Sequence, residues 1–303
     1  GAATHRRGDH RDPSSGKSGH SRPGDDGYPY AVPLSYLYED GKLLFSGPVF
    51  DIEKSGSGNV VTYTAFDLMF YVTKSDINRV FDNETPEAIT SWICSHLGIP
   101  FGAAASTGIP VYMPWLGKKA YDGIMAAYTA ASRKNGKKYI PLIKNATQLY
   151  VIERGALCGV VLDGSYNLTE ANYKTSLQNM VDRVLITDKD GNQIGVVEDT
   201  AAQQKYGVVQ TVYKQEDGKD AQTEAKALLQ TLEQTGSVTG CQGDSRAVSG
   251  YALIVQETTT GLFGKFYIES DTHTFTDGKH EMALTLAFSN MMDEKEIENQ
   301  SQG

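Results

Sequence analysis

Cysteine is scarce in this chain of 303 residues: Cys94, Cys158 and Cys241 are widely spaced and odd in number. That excludes a disulfide framework and a clustered thiolate zinc site, both of which need paired or closely spaced thiols. Each cysteine reads as a small buried hydrophobe in a reducing compartment. Long apolar runs are lacking as well, so no membrane partner is expected, and the start of the chain lacks the layout of a secretory signal. Nor is there a basic surplus. The net charge is −9, and residues 28–303 carry 23 basic against 33 acidic side chains. No sequence-specific nucleic-acid partner is expected from such a balance.

Motifs that carry chemistry are missing too. The sequence has no glycine-rich phosphate loop after a strand, no nucleophile elbow, no His-Glu-x-x-His and no CxxC pair, so neither a catalytic residue, a cofactor site nor a metal site is assigned. The nearest constellation is Asp271, His273 and His280 in "ESDTHTFTDGKHE". In a strand, Asp271 and His273 share a face, so they read as a same-face polar pair; the other reading is a metal or proton-sharing group, for which no fourth ligand has recognisable spacing. Sequons at Asn83, Asn145 and Asn167 read as chance.

What is present is strand sequence interrupted by helices. Residues 1–27 are nearly devoid of large apolar side chains and read as a disordered or foreign leader; Arg7-Gly8-Asp9 and the histidines at 5, 10 and 20 follow from its composition alone. Strands are predicted over 30–38, 42–52 and 59–66, turning at Asp40-Gly41, and residues 28–75 read as a first β-barrel portion that lacks its early strands. Over 76–155 an α/β insert is predicted. Thr85-Pro86 starts a helix that Gly98 stops, a second helix covers 118–133 before Asn135-Gly136, and a hairpin follows over 139–153. The cluster Arg133, Lys134, Lys137 and Lys138 reads as a solvated helix end, where cations oppose the dipole. Residues 156–288 read as a second β-barrel with one helix over 220–235, and 289–303 as a flexible polar tail.

Eight ordered segments give the chain a family resemblance. They run from "LLFSGPVFDIE" and "VVTYTAFDLMFYVTKSD" through "ETPEAITSWICSHLGIPFG", "KKAYDGIMAAYTAASRKNGKKYIPLI", "QLYVIERG", "NLTEANYKTSLQNMVDRVLITDKDG" and "KYGVVQTVYK" to "GLFGKFYIESDTHTFTDGKHEMALTLAF". In this order they resemble the XkdQ-type hub proteins of contractile phage and prophage tails. The resemblance implies a mainly β (α+β) fold, two small antiparallel β-barrels with an inserted α/β domain, and a non-catalytic homotrimer. It further implies a baseplate hub that links tail tube to spike, meets the tape-measure protein, assembles in the host cytoplasm and resides in the virion tail. The exposed turn in "TTTGLFGKF", with Leu262, Phe263 and Phe266, is the expected interface.

One stretch points elsewhere. Residues 26–47, beginning "DGYPYAVPLSYLYEDGKLLF", also resemble the first hairpin of pyridoxamine-phosphate-oxidase-like flavin split barrels, which implies an FMN-binding oxidoreductase as the alternative. That family next needs a histidine and cationic phosphate-binding positions. Here Asp51 and Glu53 follow, and they would repel a phosphate.

Overall fold

Alternating apolar and polar residues around Asp40-Gly41 set the first sheet. In the computed structural model, which describes residues 2–6, 34–39, 41–56, 60–217 and 219–297, Gly41 has φ 75° and turns β2 (Leu34–Glu39) into β3 (Lys42–Ser55). Only glycine adopts that φ without strain. With β1 (Ala2–Arg6) and β4 (Val60–Phe66) these strands form an antiparallel sheet in the order β1-β4-β3-β2. β1 lies inside the leader expected to be disordered. The correction has a simple cause: pairing with a free strand edge uses backbone groups, so it requires no apolar side chains. Arg7-Gly8-Asp9, His10 and His20 fall outside the described residues.

The remainder of the first unit, which spans Gly1–Arg154 and Met292–Asn299, is built around two helices. After α1 (Met69–Lys74) come β5 (Asp76–Glu84), α2 (Pro86–Leu97), β6 (Phe101–Ala104), β7 (Val111–Lys119), α3 (Ala120–Asn135), β8 (Tyr139–Lys144) and β9 (Gln148–Glu153). The helix signals act as anticipated. Thr85 Oγ1 accepts from Ala88 N, Pro86 opens α2, and Gly98 closes it at φ 67°; Gly136, at φ 72°, closes α3. The apolar faces of both helices meet Phe81, Met113, Trp115, Leu149 and Val151 in one core. Within it the rings of Tyr128 and Tyr139 lie 4.7 Å apart, and the Tyr128 hydroxyl donates to Ala105 O at 2.9 Å. The antiparallel β5·β7 pair is not anticipated from sequence, because Pro114 and Gly117 interrupt the strand pattern of β7 and its partner lies far back in the chain.

The chain end is a second correction. Residues 292–297, expected as part of a flexible tail, lie along α3. Met292 is buried in the core, and Lys138 Nζ meets Glu294 at 2.9 Å.

The second unit takes in Gly155–Met291. β10 (Leu157–Asp163), β11 (Glu170–Ser176), β15 (Glu233–Gln242), β16 (Ala252–Glu257), β17 (Leu262–Thr276) and β18 (Lys279–Ala287) form a six-stranded sheet, with β12 (Arg183–Thr187), β13 (Gln193–Glu198), α4 (Thr200–Tyr206), β14 (Gln210–Lys214) and α5 (Ala221–Ala227) intervening in the chain. The order is β10-β16-β17-β18-β15-β11, antiparallel except at β10·β16. A separate three-stranded sheet runs β13-β12-β14. Among the described residues all sheets stay open, the expected barrel portions included, and the fold is of the expected mainly β, tail-hub-like class. The helix expected over 220–235 is likewise shorter. Gln230 exchanges backbone bonds with Val181, and Glu233 onward pairs in register with β11, so tertiary pairing overrides the helical stripe.

Gly47 shows how closely the first strands approach. A Cβ there would stand 2.0 Å from the Phe66 carbonyl oxygen, a backbone atom with no rotamer to yield. Gly47→Ala is therefore expected to cost about 1–3 kcal/mol, the usual penalty of overpacking, read as a lowered denaturant midpoint.

Candidate functional site

The Asp271, His273 and His280 constellation forms a latch. β17 and β18 pair so that Phe275 faces His280 and His273 faces Met282, which makes the two histidines diagonal neighbours on one face. His273 Nδ1 lies 2.8 Å from His280 Nε2, and His273 Nε2 lies 3.1 Å from Ala247 O. A carbonyl can only accept, so His273 donates from Nε2 and its Nδ1 accepts from His280 Nε2–H. Asp271 Oδ1 accepts from Ser249 N at 2.7 Å and Ser249 Oγ at 2.6 Å. The three side chains thus bind the 243–249 loop to the hairpin. Among the described residues no three His, Cys, Asp or Glu side chains are grouped to hold a metal ion.

The three residues expected at an interface separate between the two faces of β17. Leu262 and Phe266 alternate inward on β17 and lie buried in the core of the sheet. Phe263, between them, is 64% exposed. Period-two alternation is the cause, so only Phe263 is available to a partner. The adjacent turn is held by Glu257, whose carboxylate accepts from Thr259 N and Thr260 N at 2.8 Å each and from the Thr260 hydroxyl. Those bonds, the Thr260 hydroxyl first, bring its pKa down to about 2.

A second exposed surface has no counterpart in the expectations from sequence. In the three-stranded sheet Val184 and Ile186 are buried against α5, while Leu185 on the opposite face pairs in register with Val196 on one side and Val212 on the other. Val196 is 41% exposed, Val212 56% and the nearby Ile194 52%. The signal was available: "RVLIT" and "IGVV" are apolar at consecutive positions, the pattern of strands covered on both faces. Of the cysteines, Cys94 and Cys241 are buried as read, whereas Cys158 is half-buried. Burial pushes the thiols of Cys94 and Cys241 up to about 11, far from a reactive thiolate.

Two measurements check this geometry. Asp271→Ala leaves the Ser249 amide without its acceptor and is expected to cost about 1–3 kcal/mol, seen as a lowered denaturant midpoint. For Glu257 the folded-state pKa is depressed, so its stabilisation is complete above the ordinary value of 4.5 and is lost as pH falls toward about 2. The protection of the Thr259 and Thr260 amides relative to intrinsic exchange should fall across that window, and Glu257→Gln should remove that fall.

Comparison with known proteins places this architecture. The chain is 26% identical over 274 residues to the phage-like element PBSX protein XkdQ of Bacillus subtilis (strain 168), covering 84% of this chain and 81% of that protein. It is 24% identical over 265 residues to YqbQ of the same strain, covering 82% and 79%. Among solved structures it is similar to the 43 kDa tail protein of prophage MuSo2 from Shewanella oneidensis, with TM-score 0.62, 15% identity and coverage of 86% and 84%. It is also similar to the tail protein of Neisseria meningitidis MC58, with TM-score 0.55, 13% identity and coverage of 82% and 81%. These likenesses do not favour the flavin reading of 26–47, whose second strand falls within the family match. The model of the YqbQ-like family matches residues 35–287, and the chain therefore belongs to that family of XkdQ-like phage tail proteins.

Proposed function

We propose that the chain is a structural, non-catalytic hub of a contractile phage or prophage tail, a homotrimeric ring that links tail tube to spike at the baseplate. The observation that carries this reading is the in-register apolar row Val196, Leu185 and Val212, with Ile194 beside it, on a sheet face uncovered among the described residues. A contiguous exposed apolar surface of this kind marks an interaction site, and the fold it belongs to is that of tail proteins. Phe263 supplies a second anchor, on β17 beside the turn that Glu257 holds. The open edges of both larger sheets offer further pairing groups to a neighbour. Identical copies using them head to tail would close a ring through heterologous contacts.

In that ring the acidic surplus of residues 28–303 suits a lumen through which DNA or a tape-measure protein slides without adhering. Assembly takes place in the host cytoplasm, and the product resides in the virion tail with tube and spike proteins as partners.

Solution mass by light scattering behind size exclusion, with visible absorbance across the same peak, tests the reading. A colourless trimer is expected. A monomer at every concentration overturns the ring, and a yellow dimer restores the flavin alternative. Val212→Glu and Phe263→Glu are each expected to weaken self-association at least tenfold, about 1.4 kcal/mol, without shifting the melting of the monomer.

A further inference from the structure

The last described residues of the chain form a charged strap on α3. Glu296 is bound by Arg133 in two parallel bonds, one of them Arg133 Nη1 to Oε2 at 2.9 Å. Glu294 meets Lys138 at 2.9 Å, and Lys295 reaches Asp293 at 3.2 Å and Asp122 at 3.7 Å. The Lys295 amide donates to Thr129 Oγ1 at 3.2 Å. At the two ends of this polar run, Met292 is buried and Ile297 packs against the same core. The basic residues at the end of α3, which sequence alone reads as a solvated helix terminus, thus have a partner of matching charge and spacing.

We propose that the basic end of α3 is a docking surface for an acidic segment with flanking apolar anchors, filled here by residues 292–297 as a releasable clasp and able to take the same segment from a second copy. Releasability follows from exposure. The Arg133–Glu296 pair is 55% and 64% exposed, and ion pairs so placed are individually weak and screened by salt. Exchange follows from connectivity. Only 288–291 separate β18 from the strap, and moving the strap from its own α3 to that of a neighbour keeps the same ion pairs and the Thr129 bond, which is the low-cost route to segment swapping. The charge pattern commits the occupant: a segment with Glu at positions 294 and 296 answers Arg133 and Lys138, and the chain itself supplies it. None of this depends on the hub reading, since it requires only two copies of the chain.

The test uses full-length variants and hydrogen exchange across 292–297. Wild type at low salt should be protected, with exchange at the Lys295 amide at least tenfold faster in Arg133→Glu/Lys138→Glu and in 1 M NaCl. The fourfold variant that adds Glu294→Lys/Glu296→Lys should regain protection by restoring the pairs with reversed signs, which a misfolded α3 would not do. Mixing Arg133→Glu/Lys138→Glu, whose strap is free, with Glu294→Lys/Glu296→Lys, whose surface is empty, should restore protection of the first variant's strap and give a mixed species in native mass spectrometry. Unchanged exchange in Arg133→Glu/Lys138→Glu, or no recovery in the fourfold variant, overturns the clasp. Recovery in the fourfold variant without any in the mixture overturns the exchange between copies.

Discussion

An unpaired strand edge beside an uncovered apolar face is the condition that governs this chain. Each sheet ends on a free edge among the described residues, and the backbone groups of an edge must find partners or water. The first sheet recruits Ala2–Arg6, a segment with hardly any apolar content, because pairing with β4 satisfies backbone groups whatever the side chains. Among the described residues, the three-stranded sheet leaves both its edges and one of its faces open. In an isolated domain such a surface invites uncontrolled association, and a contiguous exposed apolar surface is the kind at which proteins associate.

Polar side chains in this structure hold loops in place. Glu87, on the first turn of α2, accepts from Thr107 N at 3.2 Å and Gly108 N at 3.1 Å, tying the 106–108 loop to the helix. Burial alone would raise its pKa, but these backbone bonds together with the Thr107 hydroxyl bring it below the ordinary carboxylate range. Asp182 is fully buried and accepts from Val209 N at 3.0 Å, setting the approach to β14. Asp271 does the same for the 243–249 loop, and the His273–His280 pair seals the latch. The common device is a carboxylate bound by backbone amides, which fixes a loop without recruiting further apolar residues. Loops so fixed present a preformed surface, and preformation lowers the ordering cost that assembly would otherwise carry.

Local grammar was legible wherever one short stretch contains both the signal and its consequence. Gly41 and Asp277-Gly278 turn their hairpins, Thr85-Pro86 opens α2, and Gly98 and Gly136 end their helices because each adopts a positive φ that a side chain would strain. The same-face placement of Asp271 and His273 follows from the strand period, as does the opposite placement of Leu262 and Phe263 once the strand is located. The burial of Leu262 and Phe266 was not legible, because apolar content alone does not say which face of β17 has a sheet to cover it.

By itself the sequence determined the elements with local causes, the scarcity of thiol chemistry, the acidic balance and the family. Tertiary structure alone decided which distant segments pair. β5 finds β7 across an intervening helix, Glu233–Gln242 gives up a helical stripe to pair with β11, and 292–297 settles on the basic end of α3. The physical reason is the same in all three. Backbone pairing and exposed charge are indifferent to sequence distance, and their partners become known only when the chain has closed its loops.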